Sequence, residues 1–359
     1  MTTENSQLLA VALSGGGIRA MAFHLGVLKY LAERGLLERI SKLSSVSGGS
    51  LLVGLILHHH GMRWPSSKEF LVNTYPSMRR RLCTDNLLVG AFKAVSNPFN
   101  WRFLISRANL LAKAIESVWG ITDKVSDLPN FPEISLNGTT AENGKRFRFK
   151  NDSMGDYTLG YAKPQGFRLA DAMAMSAAVP GVFGPLAVDA SSFKWERRIS
   201  YGASIETLQA VPANFSKLHL YDGGVYDNLG LEPLFDCATQ APKAGIEGCF
   251  ILVSDAGAVL TNGFDLAPYN FMRFKRMSDI QGDQIRSLRV RPFWKFIQRA
   301  PSNGAYIYIA EPDVPTSETS RPAVFFKTTL LPLTEHNFDA IAERGYLVAS
   351  GNAQLNAYR

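Results

Sequence analysis

Cysteine is scarce in this chain: three residues among 359, Cys83, Cys237 and Cys249, at no spacing that suits a metal. That excludes a disulfide-stapled scaffold and a zinc module, and it leads us to expect reduced packing thiols in a cytoplasm. Long hydrophobic runs are missing too. Nothing approaches the ~18 apolar residues that span a bilayer. Met1 to Gln7 is polar, carries one charge at Glu4, and precedes too short an apolar run to read as a signal peptide. Zinc-finger, basic-zipper and RNA-binding signatures are absent, so no nucleic-acid polymer is expected as a partner. Repeats and low-complexity segments are absent as well. What remains is a globular composition, 46% hydrophobic and 19% charged, long enough for a large α/β core. The formal charge of +7 is gathered in Arg79-Arg80-Arg81 and between Arg273 and Arg299. Such clusters favour anionic partners such as a membrane surface or a nucleotide, unless they are only a solvated basic face.

Glycine is distributed in a telling way. Ser14-Gly15-Gly16-Gly17-Ile18-Arg19-Ala20 follows the apolar run Leu8 to Leu13, which reads as a buried strand. A helix is expected from Gly17 to about Arg34, with Ile18, Met21, Leu25, Leu28 and Leu31 on one face. Ile40 to Val46 reads as a second strand and Ser50 to His58 as an apolar helix, with Ser45-Val46-Ser47-Gly48-Gly49 between them. Strand, turn and helix repeated at once predict a mostly parallel sheet with helices on its faces. Further strands are expected at Lys217 to Tyr221, Phe250 to Val253 and Ala305 to Ala310, a loop at Glu311 to Ala323, and a closing helix at Glu335 to Ala349.

These turns carry chemistry. Serine is a weak nucleophile unless a sharp turn at a helix start presents it beside a base and an oxyanion site. Ser47 has that setting, although Ser45 stands where the G-x-S-x-G elbow has its first glycine. Gly15, Gly16 and Gly17 follow a strand and open a helix, so their N–H groups suit an oxyanion or a pyrophosphate. The pyrophosphate reading requires an acidic residue ending the second strand, and that strand ends in serines. Asp222, in Asp222-Gly223-Gly224 at a strand end, is the candidate base, with Asp255 its rival. Among the histidines, His336 would complete a Ser-Asp-His order. His58, His59 and His60 are consecutive and cannot converge on one metal ion. His24 reads as a packing or surface residue.

The early triple glycine, the serine elbow and the remote Asp-Gly-Gly together resemble the patatin-like phospholipases. Arg19 and the segment Ala174-Met175-Ser176-Ala177-Ala178-Val179-Pro180-Gly181-Val182-Phe183 extend the likeness. Ala20 departs from the family's frequent glycine. The resemblance implies a three-layer α/β fold with a mostly parallel central sheet flanked by helices. It also implies a Ser47–Asp222 dyad with no third member, an oxyanion hole at Gly15 to Gly17, and supporting positions at Arg19, Gly48, Gly49, Gly223 and Gly224. No cofactor and no metal are implied. Arg19 would either steady the loop or meet a lipid phosphate. The implied reaction is phospholipase A or lysophospholipase chemistry on membrane glycerophospholipids, with the chain cytoplasmic and peripheral to the inner membrane. Some bacterial members are anti-phage effectors switched on by cyclic nucleotides that assemble them on membranes; the basic clusters are compatible with that, and a cyclic-nucleotide activator and a homo-oligomer would follow. The other reading is a catalytically weak homologue that binds lipid or nucleotide.

We expect one domain over residues 1–359, with a cap or insertion at about 61–130 and a C-terminal extension at about 260–359. In the insertion, an amphipathic helix from Trp101 to Trp119 is expected to present Phe103, Leu110, Leu111 and Trp119 as a movable or membrane-contacting face.

Overall fold

Short apolar runs bounded by glycine become the central strands. A computed structural model describes residues 7–358, apart from 97, 104–106, 181–182, 199–207, 261, 265–266, 268, 271, 313 and 315–320. Strand β1 (Leu9–Leu13) lies between β2 (Ile40–Val46) and the strand Phe250–Asp255, parallel to both. Beyond β2 comes β3 (Glu133–Thr140), and beyond Phe250–Asp255 comes Gly304–Tyr308, again parallel. Every residue of β1 is buried, as a parallel strand covered on both faces must be. Leu9, Val11 and Leu13 join the larger apolar core, whereas Ala10 and Ala12 join a smaller one with Phe235, Phe293 and Phe296. A sheet with apolar matter on each side makes three layers.

From β3 outward the sheet turns antiparallel, through Arg146–Phe149, Met154–Asp156, Gly160–Ala162, Trp195–Arg198 and Leu208–Val211. Lys217–Asp222 also pairs antiparallel with β3 and with Leu186–Asp189. The last two strands alternate between buried and open positions along much of their length, the pattern of a sheet with one wet face. The fold is therefore parallel in its core and carries an antiparallel wing.

Helix α1 (Gly17–Glu33) packs on the closing helix Glu335–Gly351, and α2 (Gly48–His59) follows β2 directly. α2 is apolar all round and buried from Gly48 to Leu57, so it lies inside the molecule. No helix among the described residues is long and apolar enough to cross a membrane.

Two expectations are corrected. The helix expected from Trp101 starts at Ala108, and it lies between the helices Leu87–Val95 and Leu169–Ser176. Leu110, Leu111 and Trp119 are buried there, so they are core and form neither a movable face nor a membrane contact. The side chain of Phe103 lies outside the described residues, as do Gly181 and Val182 of the small-residue segment. Much of the basic excess is also neutralised internally. Residues Met272–Arg299 form one 28-residue helix, from which Arg286 pairs with Asp255 and Asp283, and Arg289 with Asp227 and Glu232. Arg79 pairs with Glu335 and Asp339, and Arg81 with Asp85.

Candidate active site

Ser47 is the residue before α2, with φ 51° and ψ −120°, a conformation that non-glycine residues rarely adopt. The cause is a sharp reversal between β2 and α2 in crowded space. A Cβ on Gly48 would lie 2.1 Å from the Gly17 carbonyl oxygen, and one on Gly49 would lie 2.5 Å from that of Leu13. Ser45, the departure from the elbow pattern, is buried and shares a 2.9 Å hydrogen bond with Ser50 Oγ. Ser176 Oγ continues this chain: it lies 2.8 Å from Ser50 Oγ, donates to the Asn137 carbonyl and accepts the Ser47 N–H at 3.0 Å. The extra hydroxyl is thus absorbed rather than left unpaired in the core.

Asp222 ends its strand opposite Gly138 of β3, and its own carbonyl accepts from Thr139 Oγ1 at 2.9 Å. Its N–H donates to Ala178 O at 3.0 Å, and the Gly223 N–H donates to Ser176 O. A single short segment, 176–178, therefore grips both Ser47 and Asp222 by their backbones and joins two positions far apart in sequence. The Asp222 carboxylate is buried. Oδ1 accepts the Gly224 N–H at 2.6 Å, and Oδ2 has no hydrogen-bond partner among the described residues. Burial pushes its pKa up to about 7, against the lowering effects of the Gly224 N–H and the Ser47 hydroxyl.

The triple glycine sits against this pair, since a Cβ on Gly15 would come 3.0 Å from Ser47 Cβ and 2.3 Å from Asn228 Oδ1. The Gly15 N–H is already committed to the Asn228 carbonyl at 2.9 Å, and the Ile18 N–H to Thr329 O at 2.8 Å. The N–H groups of Gly16 and Gly17 meet no acceptor among the described residues. They stand at the start of α1, where the helix dipole favours negative charge. Arg19 is buried beneath the loop and donates to the carbonyls of Phe326 and, at 2.9 Å, Ala256. Burial lowers its pKa to about 10. It steadies the loop from inside, where no lipid phosphate reaches it.

Asp255, the rival carboxylate, is also buried, and it is saturated. It accepts from Gly257 N at 2.7 Å, from Arg286 Nη1 at 3.0 Å and from the Tyr306 hydroxyl. His24 is fully buried, contrary to a surface placement. Its Nε2 lies 2.9 Å from the Ser14 carbonyl, which can only accept, so Nε2 carries the proton and Nδ1 accepts from Ser254 Oγ at 2.8 Å. Burial pushes His24 down to about 4, so it is neutral. His58 pairs with Asp123 and His60 with Thr74, while His336 is exposed on the first turn of the closing helix. No group of three potential metal ligands occurs among the described residues.

The patatin-like phospholipase family model matches residues 11–235 of this chain. The chain belongs to the patatin-like phospholipase family. Among solved structures, human GIVD cytosolic phospholipase A2 shares the fold, with a TM-score of 0.58 at 14% identity over 97% of this chain and 61% of that one. The human enzyme in complex with methyl gamma-linolenyl fluorophosphonate gives 0.54 at 16% identity, over 95% and 56%. The chain thus spans about 61% or less of these human chains. No curated protein matches it in sequence.

The patatin match ends before several residues that brace the triple-glycine turn through Ser14, Ile18 and Arg19: Ser254, Ala256, Phe326 and Thr329 all lie beyond residue 235. Asn228 and Ser176 lie within the match, yet their roles emerge only from contacts between distant elements. Ser176, inside the small-residue segment, was the one of these with a visible signal, as a lone polar residue among alanines.

Proposed function

We propose that this chain is a lipid acyl hydrolase that cleaves ester-linked fatty acids from glycerophospholipids at a membrane surface, using Ser47 and Asp222. The observation that carries this reading is the buried, unpartnered Oδ2 of Asp222 beside a serine on a strained turn. A carboxylate poised near neutrality can take a proton at working pH, whereas the Asp255 oxygens are already engaged by Arg286 and the Tyr306 hydroxyl. Ser47 Oγ attacks the ester carbonyl as its proton passes to Asp222, and the N–H groups of Gly16 and Gly17 hold the oxyanion. Each such donor is typically worth ~3 kcal/mol. Gly15, with its N–H engaged, shapes the loop instead. Collapse returns the proton from Asp222 to the leaving alcohol, giving a lysolipid and an acyl-Ser47 ester. Water, deprotonated by Asp222, then releases the fatty acid.

The human phospholipase is described in complex with a fluorophosphonate, and the same chemistry supplies the test. A lipid-like fluorophosphonate should add one equivalent to Ser47 and abolish fatty-acid release from phospholipid vesicles, while Ser47→Ala neither reacts nor turns over. Labelling elsewhere with activity lost, or turnover by Ser47→Ala, removes the assignment. A narrower form of the reading is a phage-defence effector switched on by a cyclic nucleotide and assembled on the membrane. It rests on family likeness, and lipid release with and without cyclic nucleotide tests it.

A further inference from the structure

The helix Leu87–Val95 is capped by Asn86, whose side chain accepts the Val89 N–H. Its inner face, at Leu87 and Gly90, presses on the helix Ala108–Trp119, so closely that a Cβ on Gly90 would sit 2.6 Å from Val118 Cγ2. Its outer face carries Val89 and Phe92, 45% and 77% exposed. The chain then folds back on the helix end. Asn100 Nδ2 donates to the Ala94 carbonyl at 2.7 Å and Trp101 Nε1 to the Val95 carbonyl at 2.9 Å. These bonds satisfy terminal carbonyls of the helix and fix the turn that bears Phe99 and Trp101, themselves 83% and 59% exposed. Four large apolar side chains held open to water along one short segment mark a contact surface, because folding alone gives no reason to display them.

Charge selects the occupant. Residues 86–115 contain no aspartate or glutamate and four cations, Lys93, Arg102, Arg107 and Lys113. Lys93 and Arg107 are exposed. Rigid aromatic rings with flanking cations are the chemistry of the headgroup region of an anionic bilayer, where rings enter the acyl boundary and cations meet phosphates. A second copy fits worse, because a symmetric contact would bring each cationic patch against itself.

We propose that Val89, Phe92, Phe99 and Trp101, with Lys93 and Arg107, form the surface by which this protein docks on anionic phospholipid membrane. The proposal rests on the lipid-hydrolase reading and gives it a route to substrate. It also replaces Leu110, Leu111 and Trp119, which the fold buries.

The test is co-sedimentation with vesicles of phosphatidylglycerol and phosphatidylcholine, beside vesicles of phosphatidylcholine alone. Phe92→Ser with Trp101→Ser should weaken binding about tenfold or more, and Phe92→Ser alone, which breaks no hydrogen bond, should weaken it less. Lys93→Glu with Arg107→Glu should abolish the preference for anionic vesicles, and added salt should mimic it. Phe92→Ser alone and the charge variant should keep the wild-type melting temperature, and all variants should keep the wild-type rate on a short, water-soluble ester. Unchanged vesicle affinity in both Phe92 variants overturns the proposal, as does a wild type that does not bind anionic vesicles. So does a wild-type dimer that the aromatic substitutions split while vesicle binding stays intact. Failure of the hydrolase reading looks different: vesicles are bound through this surface, yet neither ester is cleaved.

Discussion

Asp222 and Asp255 make a natural pair for comparison. Each ends a strand of the same sheet, each is buried, and each accepts an N–H from the glycine two residues on. Around Asp255 the fold supplies Arg286 and the Tyr306 hydroxyl. Around Asp222 it supplies only the neighbouring Ser47 hydroxyl, and Oδ2 has no hydrogen-bond partner among the described residues. Full pairing commits a buried carboxylate's oxygens and makes it a structural member. Incomplete pairing leaves it hovering near its own protonation point, which costs stability and gives reactivity. The surroundings, not the residue type or the strand-end position, divide the two roles.

The sharpest way to break this contrast is to neutralise each carboxylate in turn. Asp222→Asn should reduce ester hydrolysis by about a thousandfold or more, with Ser47→Ala similar and the double variant hardly worse. Asp255→Asn should instead remove the buried partner of Arg286, leaving it Asp283 alone, and lower stability by about 3–5 kcal/mol. Its folded fraction should still react with a fluorophosphonate at Ser47. If Asp255→Asn retained the wild-type melting temperature but lost that labelling, the two roles would have to be exchanged.

A titration sharpens the contrast further. Acylation needs Asp222 ionised, so kcat/KM should rise with pH through about 7. The ordinary value of 3.8 holds in the unfolded chain, so between 3.8 and about 7 the folded state binds the extra proton and stability falls as pH rises. Asp222→Asn removes that penalty. It should melt above wild type at pH 8, by the equivalent of about 2–4 kcal/mol, and the gap should close toward pH 4. A gap independent of pH would mean that Asp222 is ionised without penalty.

The smallest effect concerns backbone strain on the Asp222 side. Ser47→Gly should melt above Ser47→Ala by the equivalent of about 1 kcal/mol, since glycine accepts the positive φ that alanine does not. Equal melting of the two would place the strain elsewhere.

The strands and helices nearest the site were legible because their constraints are local. Leu9–Leu13 must be buried and short, Gly48 and Gly49 must be small where α2 starts, and Asp222 precedes two glycines at a strand end. Distant contacts left no such trace. The Asn228 carbonyl takes the Gly15 N–H, Ser176 takes that of Ser47, and Thr329 takes that of Ile18, and no periodicity announces any of them. The amphipathicity of Ala108–Trp119 was visible, but not the Leu87–Val95 helix laid across it, and so a packed face was read as a free one. The Met272–Arg299 helix hid behind its charge, because Arg286 and Arg289 pair with carboxylates on other elements.

The order in which the chain leaves the ribosome acquires meaning from one contact described above. Ser47 and Asp222 are synthesised well before Phe326 and Thr329, whose carbonyls receive Arg19 and the Ile18 N–H and wall in the Gly17 turn. Until that late segment emerges, the triple glycine lacks its outer wall and the N–H groups aimed at an oxyanion have nothing to hold their direction. On the proposed reading, a nascent chain thus carries Ser47 and Asp222 while the third part of the machinery is still unmade.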